Sequence, residues 1–389
     1  MIPLIKSTFF EEEKTKKELA IFVLKAKRLS FDKECIKFEK KFSDWQGRRH
    51  CIFVNSGSSA NLALIQALIN LRKLRKGDNV GFSSVTWSTN VMPLLELGLK
   101  PVPVDIELNT LNISSSTLLE VLKRRKLKAL FVTNLLGFCG DLDEIVKICK
   151  KEKIILIEDN CESLGSVYKG KKLGNFGLAS TFSFYVGHHM STVEGGMVCT
   201  NDAELSTMLK LVHAHGWDRN LDFNRRKSLM KKYRINSQFY SRYTFYDLGY
   251  NLRPTEINGF LGNIQLKYLN RINKLRENNF KRLSGKLYTN SNYISTDSSH
   301  IDFVSNFAVP IVCKNTKVKD DLVEKCKGRV EIRPMVGGDI TKQPFFKKHS
   351  VKGFSYCKNA QFVHKNGLYF GNNPELTEKD LGVLEGIFV

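Results

Sequence analysis

Apolar residues at three- and four-residue spacing dominate the first fifty positions. Leu19, Phe22, Val23 and Ala26 form one stripe, and Phe38, Phe42 and Trp45 form another. These stripes predict helices over 11–28 and 33–46, with Asp32 placed to cap the second. From residue 51 the pattern changes to short apolar runs, each ending in small or polar residues. Cys51-Ile52-Phe53-Val54 runs into Asn55-Ser56-Gly57-Ser58-Ser59, and Asn79-Val80-Gly81-Phe82 runs into a stretch ending at Trp87. Lys100–Val104 precedes Asp105, Ala129–Thr133 precedes Asn134, and Ile154-Ile155-Leu156-Ile157 precedes Glu158-Asp159. Such runs, alternating with helical stretches near 141–151 and 203–212, predict buried parallel strands whose carboxyl ends form a ligand site. Pro254 opens a predicted long helix with Ile257, Leu261, Ile264, Tyr268 and Ile272 on one face. Beyond 290, strands over 307–312 and 329–332, a helix near 317–326 and a last helix over 378–387 predict a compact α+β lobe. The expected division is a large domain over 1–250, N-terminal helices included, and a small one over 251–389.

One stretch concentrates the candidate chemistry. Thr181-Phe182-Ser183-Phe184-Tyr185-Val186-Gly187-His188-His189 is followed by Glu194-Gly195-Gly196-Met197. This reads as a strand delivering side chains to a glycine-rich turn, which another backbone or a ligand can approach closely. Imidazole exchanges protons near neutrality and serves as acid or base. Two adjacent histidines in a loop are also compatible with a structural role. At Ser56-Gly57-Ser58 a strand meets a helix N-terminus, where free N–H groups favour an anion; the same pattern also makes an ordinary turn. Asp159 and Glu162 stand at the end of a buried strand, and Trp87 is flanked by small hydroxyl residues.

Composition narrows the classes. The 389 residues carry a net charge of +22, spread over helices and loops without a nucleic-acid motif. Solvated basic faces are therefore expected, not nucleic-acid binding. No apolar run approaches the ~18 residues that span a bilayer, and residues 1–30 lack a signal-peptide pattern. A cytoplasmic protein with no membrane partner is expected. The nine cysteines have no C-x-x-C spacing, the nearest pair being Cys139 and Cys149. Reduced thiols are expected, with no iron–sulfur cluster and no metal site. His213-x-His215 lacks a third ligand at a convincing interval.

The pattern Phe-Ser-Phe, three residues, a base, then Glu-Gly-Gly resembles the DegT/DnrJ/StrS sugar aminotransferases. That resemblance implies a fold-type I, aspartate aminotransferase-like large domain with a mixed, mostly parallel sheet. It also implies pyridoxal or pyridoxamine 5'-phosphate as cofactor. Most members hold the cofactor through a lysine at the position filled here by His188. No lysine or arginine lies between Lys172 and Lys210 to replace it. The departure resembles the 3-dehydratases of dideoxysugar synthesis. It implies non-covalent pyridoxamine phosphate and a nucleotide-linked 4-keto-6-deoxyhexose of the GDP-4-keto-6-deoxymannose type. Glutamate is implied as amino donor. Alternatives are a variant aminotransferase or an inactive relative. By the same resemblance His188 is catalytic; Gly57, Ser58, Trp87, Asp159, Glu162, Ser183 and Asn251 bind cofactor; His215, Arg219 and Arg333 bind substrate or donor. Gly249-Tyr250-Asn251-Leu252-Arg253-Pro254 implies a homodimer with shared active sites, because Asn251 would reach the neighbouring subunit. Residues 222–245, basic and aromatic, read as a surface excursion or lid.

Overall fold

The computed structural model describes residues 1–350 and 357–389. Seven strands build the main sheet: β1 (His50–Val54), β2 (Asn79–Ser83), β3 (Lys100–Val104), β4 (Ala129–Thr133), β5 (Ile155–Asp159), β6 (Ala179–Ser183) and β7 (Gly196–Thr200). Their order is β1-β7-β6-β5-β4-β2-β3. Only β7 runs against the others, pairing antiparallel with both β1 and β6. The fold is α/β, with a mixed and mostly parallel sheet as expected. β4 and β6 are buried throughout, and β1, β2 and β5 are buried beyond their first residue. A strand covered on both faces can be apolar continuously, which is why the runs of β1, β2, β4 and β5 lacked alternation.

Helices cover the sheet. The first three are α1 (Glu12–Lys25), α2 (Lys33–Gln46) and α3 (Gly57–Asn70). Phe38 and Phe42 of α2 are fully buried. Their rings pack on Phe184 at centroid distances of 5.1 and 5.3 Å, and Phe42 meets Phe182 at 5.3 Å. Side chains alternate along a strand, so burying Phe182 and Phe184 against α2 turns Ser183 to the opposite face. Burying each such ring stabilises the fold by roughly 1.5–3 kcal/mol. The packing thereby fixes the direction of the segment that leads to His188.

The helical spacing was read correctly, but the cap of α2 was not. Asp32 occupies the N-cap position without a side-chain hydrogen bond. The buried carboxylate of Glu256 accepts instead from the N–H groups of Asp32, Glu34 and Cys35, at 2.8, 2.8 and 3.1 Å. A remote acid thus neutralises the helix N-terminus. The expected long helix after Pro254 is two: α4 (Glu256–Gln265) and α5 (Leu269–Leu287). Pro254 precedes the cap. Thr255 caps α4 in a reciprocal pair with Asn258, and three-residue turns through Lys267 and Tyr268 separate the helices.

A second, antiparallel sheet has the order β8-β10-β9, from β8 (Ala308–Val312), β9 (Ile332–Pro334) and β10 (Gly367–Gly371). Its central strand, β10, was not expected from the sequence. The N-terminal residues dock here: Ile2 pairs with Val330, and the Leu4 N–H donates to Glu331 at 2.7 Å.

Candidate active site

The carboxyl ends of β2, β4, β5 and β6 and the N-terminus of α3 surround a cleft of about 490 Å³. Gly57, Ser58, Trp87, Asp159, Glu162, Ser183, His188 and Arg333 all line it. Eight of the eleven residues expected at the site therefore meet in one cavity.

Ser56 caps α3, its hydroxyl accepting from the Ser59 N–H at 3.0 Å. Gly57 begins the helix so close to β6 that a Cβ there would lie 2.7 Å from the Ser183 Cβ. Gly196 packs as tightly: a Cβ would lie 2.2 Å from the Ser56 carbonyl oxygen. The glycine of Glu-Gly-Gly thus lets β7 abut the turn that starts α3, and the backbone that approaches it is that of Ser56.

Asp159 is 4% exposed at the end of β5. Its Oδ2 accepts from Asn61 Nδ2 at 3.0 Å and Asn90 Nδ2 at 2.7 Å, and Oδ1 accepts from the Cys161 N–H at 2.9 Å. Three donors hold one carboxylate rigidly toward the cleft. Trp87 is 55% exposed there, too open for a core residue and suited to stacking on a planar ring. Glu162 accepts from the Leu136 N–H at 3.0 Å. Burial, with Asp159 adding repulsion, pushes its carboxyl up to about 8, so it carries a proton at neutral pH.

His188 is partly buried, its ring against Phe307 at 5.3 Å and Tyr185 at 5.9 Å. Burial and the guanidinium of Arg276 push the imidazole down to about 4, opposed by the Ser183 carbonyl. It is neutral at pH 7, a base without a proton, and does not sit near neutrality as an ordinary histidine does. Arg333 is exposed and paired with Glu331 across the same strand face.

Three expected residues lie elsewhere. Asn251, His215 and Arg219 are exposed and do not line this cleft. They form one strip: Asn251 bridges Ala214, the His215 N–H donates to the Tyr250 carbonyl at 2.7 Å, and Arg219 lies over the Trp217 ring at 5.3 Å. His213 is buried, with Nδ1 on the Leu209 carbonyl at 3.2 Å and Nε2 on Asn220 at 3.1 Å. Its ring ties a helix end to this strip. Among the described residues no three His, Cys, Asp or Glu side chains form a metal set. Residues 222–245 carry two short exposed helices, Phe223–Lys232 and Gln238–Ser241.

Sequence reasoning missed Glu331, Asn61 and Asn90. Glu331 had a local signal, an acid and a base two residues apart on a strand; the two asparagines had none. Among the described residues no lysine lines the cleft. The residues present fit a planar cofactor with an anionic tail: a helix N-terminus, a fixed carboxylate, a bare tryptophan face and a neutral imidazole.

The model of the DegT/DnrJ/EryC1/StrS aminotransferase family matches residues 11–387. The GDP-4-keto-6-deoxy-D-mannose 3-dehydratase of Escherichia coli O55:H7 is 36% identical over 364 residues, covering 90% of each chain. That of Yersinia pseudotuberculosis is 34% identical over 392 residues, covering 97% of this chain and 95% of the relative. A crystal structure of GDP-4-keto-6-deoxymannose-3-dehydratase with a trapped PLP–glutamate geminal diamine matches with TM-score 0.90. It is 32% identical and covers 100% of both chains. No helix of the described residues is long and apolar enough to cross a membrane.

Proposed function

The chain belongs to the DegT/DnrJ/EryC1/StrS aminotransferase family. On that premise we propose that it is a pyridoxamine-phosphate-dependent 3-dehydratase of a nucleotide-linked 4-keto-6-deoxyhexose, of the GDP-4-keto-6-deoxymannose type. The carrying observation is His188 in a cleft that no described lysine lines. Such a cleft has a base but no amine to tether the cofactor. When bound, pyridoxamine phosphate supplies the amine that condenses with the sugar ketone and the electron sink that lets the C3 oxygen leave.

The protein's residues do the rest. The N-terminus of α3, with Gly57 and Ser58, would hold the phosphate together with Ser183. Asp159 would pair with the ring nitrogen and keep it protonated, Trp87 would stack on the ring, and protonated Glu162 would donate to it. His188, neutral at rest, takes a proton from the cofactor carbon. Its burial makes the resulting imidazolium a strong acid, which readily passes the proton to the departing C3 oxygen. One proton thus serves both steps without waiting for solvent. Arg333 binds the carboxylate of glutamate, the amino donor that restores the cofactor. The product is a 3-deoxy-4-keto sugar for a dideoxysugar such as colitose, made in the cytoplasm, and the chain divides into a cofactor-binding unit over 1–250 and a small unit over 251–389.

The test incubates protein, pyridoxamine phosphate and glutamate with GDP-4-keto-6-deoxymannose and follows the sugar by mass spectrometry. Loss of the C3 hydroxyl without retained nitrogen is expected. Survival of that hydroxyl across several nucleotide sugars overturns the reading, and retained nitrogen makes the protein an aminotransferase.

The enzyme further acts as a homodimer in which Asn251, His215 and Arg219 complete the partner's cleft. Their exposed strip supports this, as does the adjoining aromatic surface of Phe239, Tyr240, Tyr243 and Phe245, each more than half exposed. A His188→Asn chain and an Arg219→Ala/Asn251→Ala chain are each expected to be nearly inactive alone. Co-expressed, they form mixed dimers with one intact site, restoring about half of the native activity per mixed dimer. Failure of tagged, purified mixed dimers to regain activity rejects the shared site.

A further inference from the structure

Residues 2–10 form a strap between the edge of the small sheet and α4. The Ile2 N–H donates to the Arg329 carbonyl at 2.7 Å, and the Ile2 carbonyl accepts from the Glu331 N–H at 2.8 Å. Asn373 Nδ2 donates to the Leu4 carbonyl at 3.1 Å, and its Oδ1 accepts from the Lys6 N–H at 3.2 Å. At the far end Gln265 of α4 exchanges two hydrogen bonds of 3.1 Å with the Phe10 backbone. The segment between these anchors is held in place. Its Leu4 and Ile5 line the cleft together with Gly187, His188 and Phe307. Ile5 Cδ1 lies 3.4 Å from the point where a Gly187 Cβ would stand, and the Tyr185 ring lies 3.1 Å from it. Glycine there lets an aliphatic and an aromatic side chain close on the turn that carries His188.

The surround of the imidazole is dry. His188 Nδ1 is buried without a hydrogen-bond partner, and the rings of Phe307 and Tyr185 stand against the imidazole. The strap adds two aliphatic side chains to the same cleft. We propose that Ile5, with Leu4, is a positioning residue for the proton-transfer step: the strap is the apolar wall that keeps water off His188. A dry site disfavours the charged ring, so the wall makes the imidazolium give up its proton readily. Charged groups act on the same equilibrium. They are Arg276 from α5, His189 next in the chain, and Asp159, Glu162, Glu194, Glu331 and Arg333 lining the cleft. None belongs to the strap, and Lys6, the strap's own cation, is paired with Asp380 at 2.8 Å. Changing Ile5 therefore alters the solvation of His188 and leaves every one of these charges in place. The consequence for catalysis rests on His188 being the proton carrier proposed above, whereas the wall does not.

Exchange of the His188 Cε1 proton for deuterium reads both solvent access and the ring's titration midpoint. It is followed by mass spectrometry across pH on the protein loaded with pyridoxamine phosphate. The wild type should exchange slowly, with a midpoint near the value to which burial and Arg276 push the ring, about 4. Ile5→Ser should exchange faster and move the midpoint up toward the ~6.5 of a hydrated imidazole. Ile5→Thr, which keeps the branched shape and adds a hydroxyl, should shift it the same way, and Ile5→Val should match the wild type. The acid limb of kcat/KM should follow. With the midpoint raised from about 4 to about 6, Ile5→Ser loses about tenfold at pH 5 and little at pH 8, because less of the ring is neutral. A folded Ile5→Ser or Ile5→Thr protein with the wild-type midpoint and exchange rate overturns the proposal, as does a wild-type midpoint near 6.5. If the midpoint moves as described but His188→Asn retains full turnover, the catalytic reading fails and the wall stands.

Discussion

Replacing His188 by asparagine lowers turnover by about 10²–10⁴-fold, the usual contribution of a positioned acid–base group, while the cofactor still binds. Asparagine keeps a polar side chain in the cleft but neither takes nor returns a proton. The other groups proposed around the cofactor, Asp159, Trp87 and the start of α3, are untouched, so binding followed by absorbance changes little. The separation of turnover from binding is the informative result. A fall in both together would assign His188 to cofactor retention. The pH profile gives an independent sign. Activity through kcat/KM requires the neutral ring, so its acid limb lies near the value to which burial and Arg276 push His188, about 4. An ordinary exposed imidazole would place that limb near 6.5. A limb at 6–7 would locate the titrating base elsewhere. The companion change, His188→Lys, puts an amine where the family's lysine stands, and borohydride should then fix the cofactor covalently to the chain.

What was legible in the sequence follows the range of each interaction. The strand and turn around Ser183 and His188 were legible because two-residue alternation and glycine act locally. The same is true of the serine-capped start of α3 and the acids ending β5. The two asparagines on Asp159 were not, since Asn61 and Asn90 come from helical segments 98 and 69 residues away. Glu331 in the cleft is held by the Leu4 N–H from 327 residues away, a pairing no local pattern encodes. The cap of α2 failed for the same reason. Asp32 is a good capping residue by type, but Glu256 reaches the N–H groups at the start of α2 from 221 to 224 residues away. The lowered proton affinity of His188 was equally invisible. It depends on burial and on Arg276, whose guanidinium comes from α5 and is fixed by carbonyls of three different segments.

Replacing Asp159 by asparagine is expected to lower turnover by about 10²–10³-fold, the scale on which one pre-aligned electrostatic partner contributes. The reaction needs the cofactor ring as an electron sink, and a protonated ring nitrogen needs a fixed negative charge opposite it. Asparagine preserves shape and removes the charge. It also creates a local conflict. Oδ2 accepts from Asn61 and Asn90 while Oδ1 accepts from the Cys161 N–H. Whichever way the new amide turns, its NH₂ faces at least one of these donors and leaves it unpaired. An unpaired buried polar group costs about 1–3 kcal/mol. The variant should therefore melt earlier than the wild type even without cofactor, and bind pyridoxamine phosphate more weakly. Asn90→Ala separates the two effects, because it removes one donor and leaves the carboxylate charged. It should lose far less turnover than Asp159→Asn at a comparable cost in stability. If the two variants lose activity equally, the role of Asp159 is to hold the cleft together. If Asp159→Asn alone loses turnover, its charge acts on the ring.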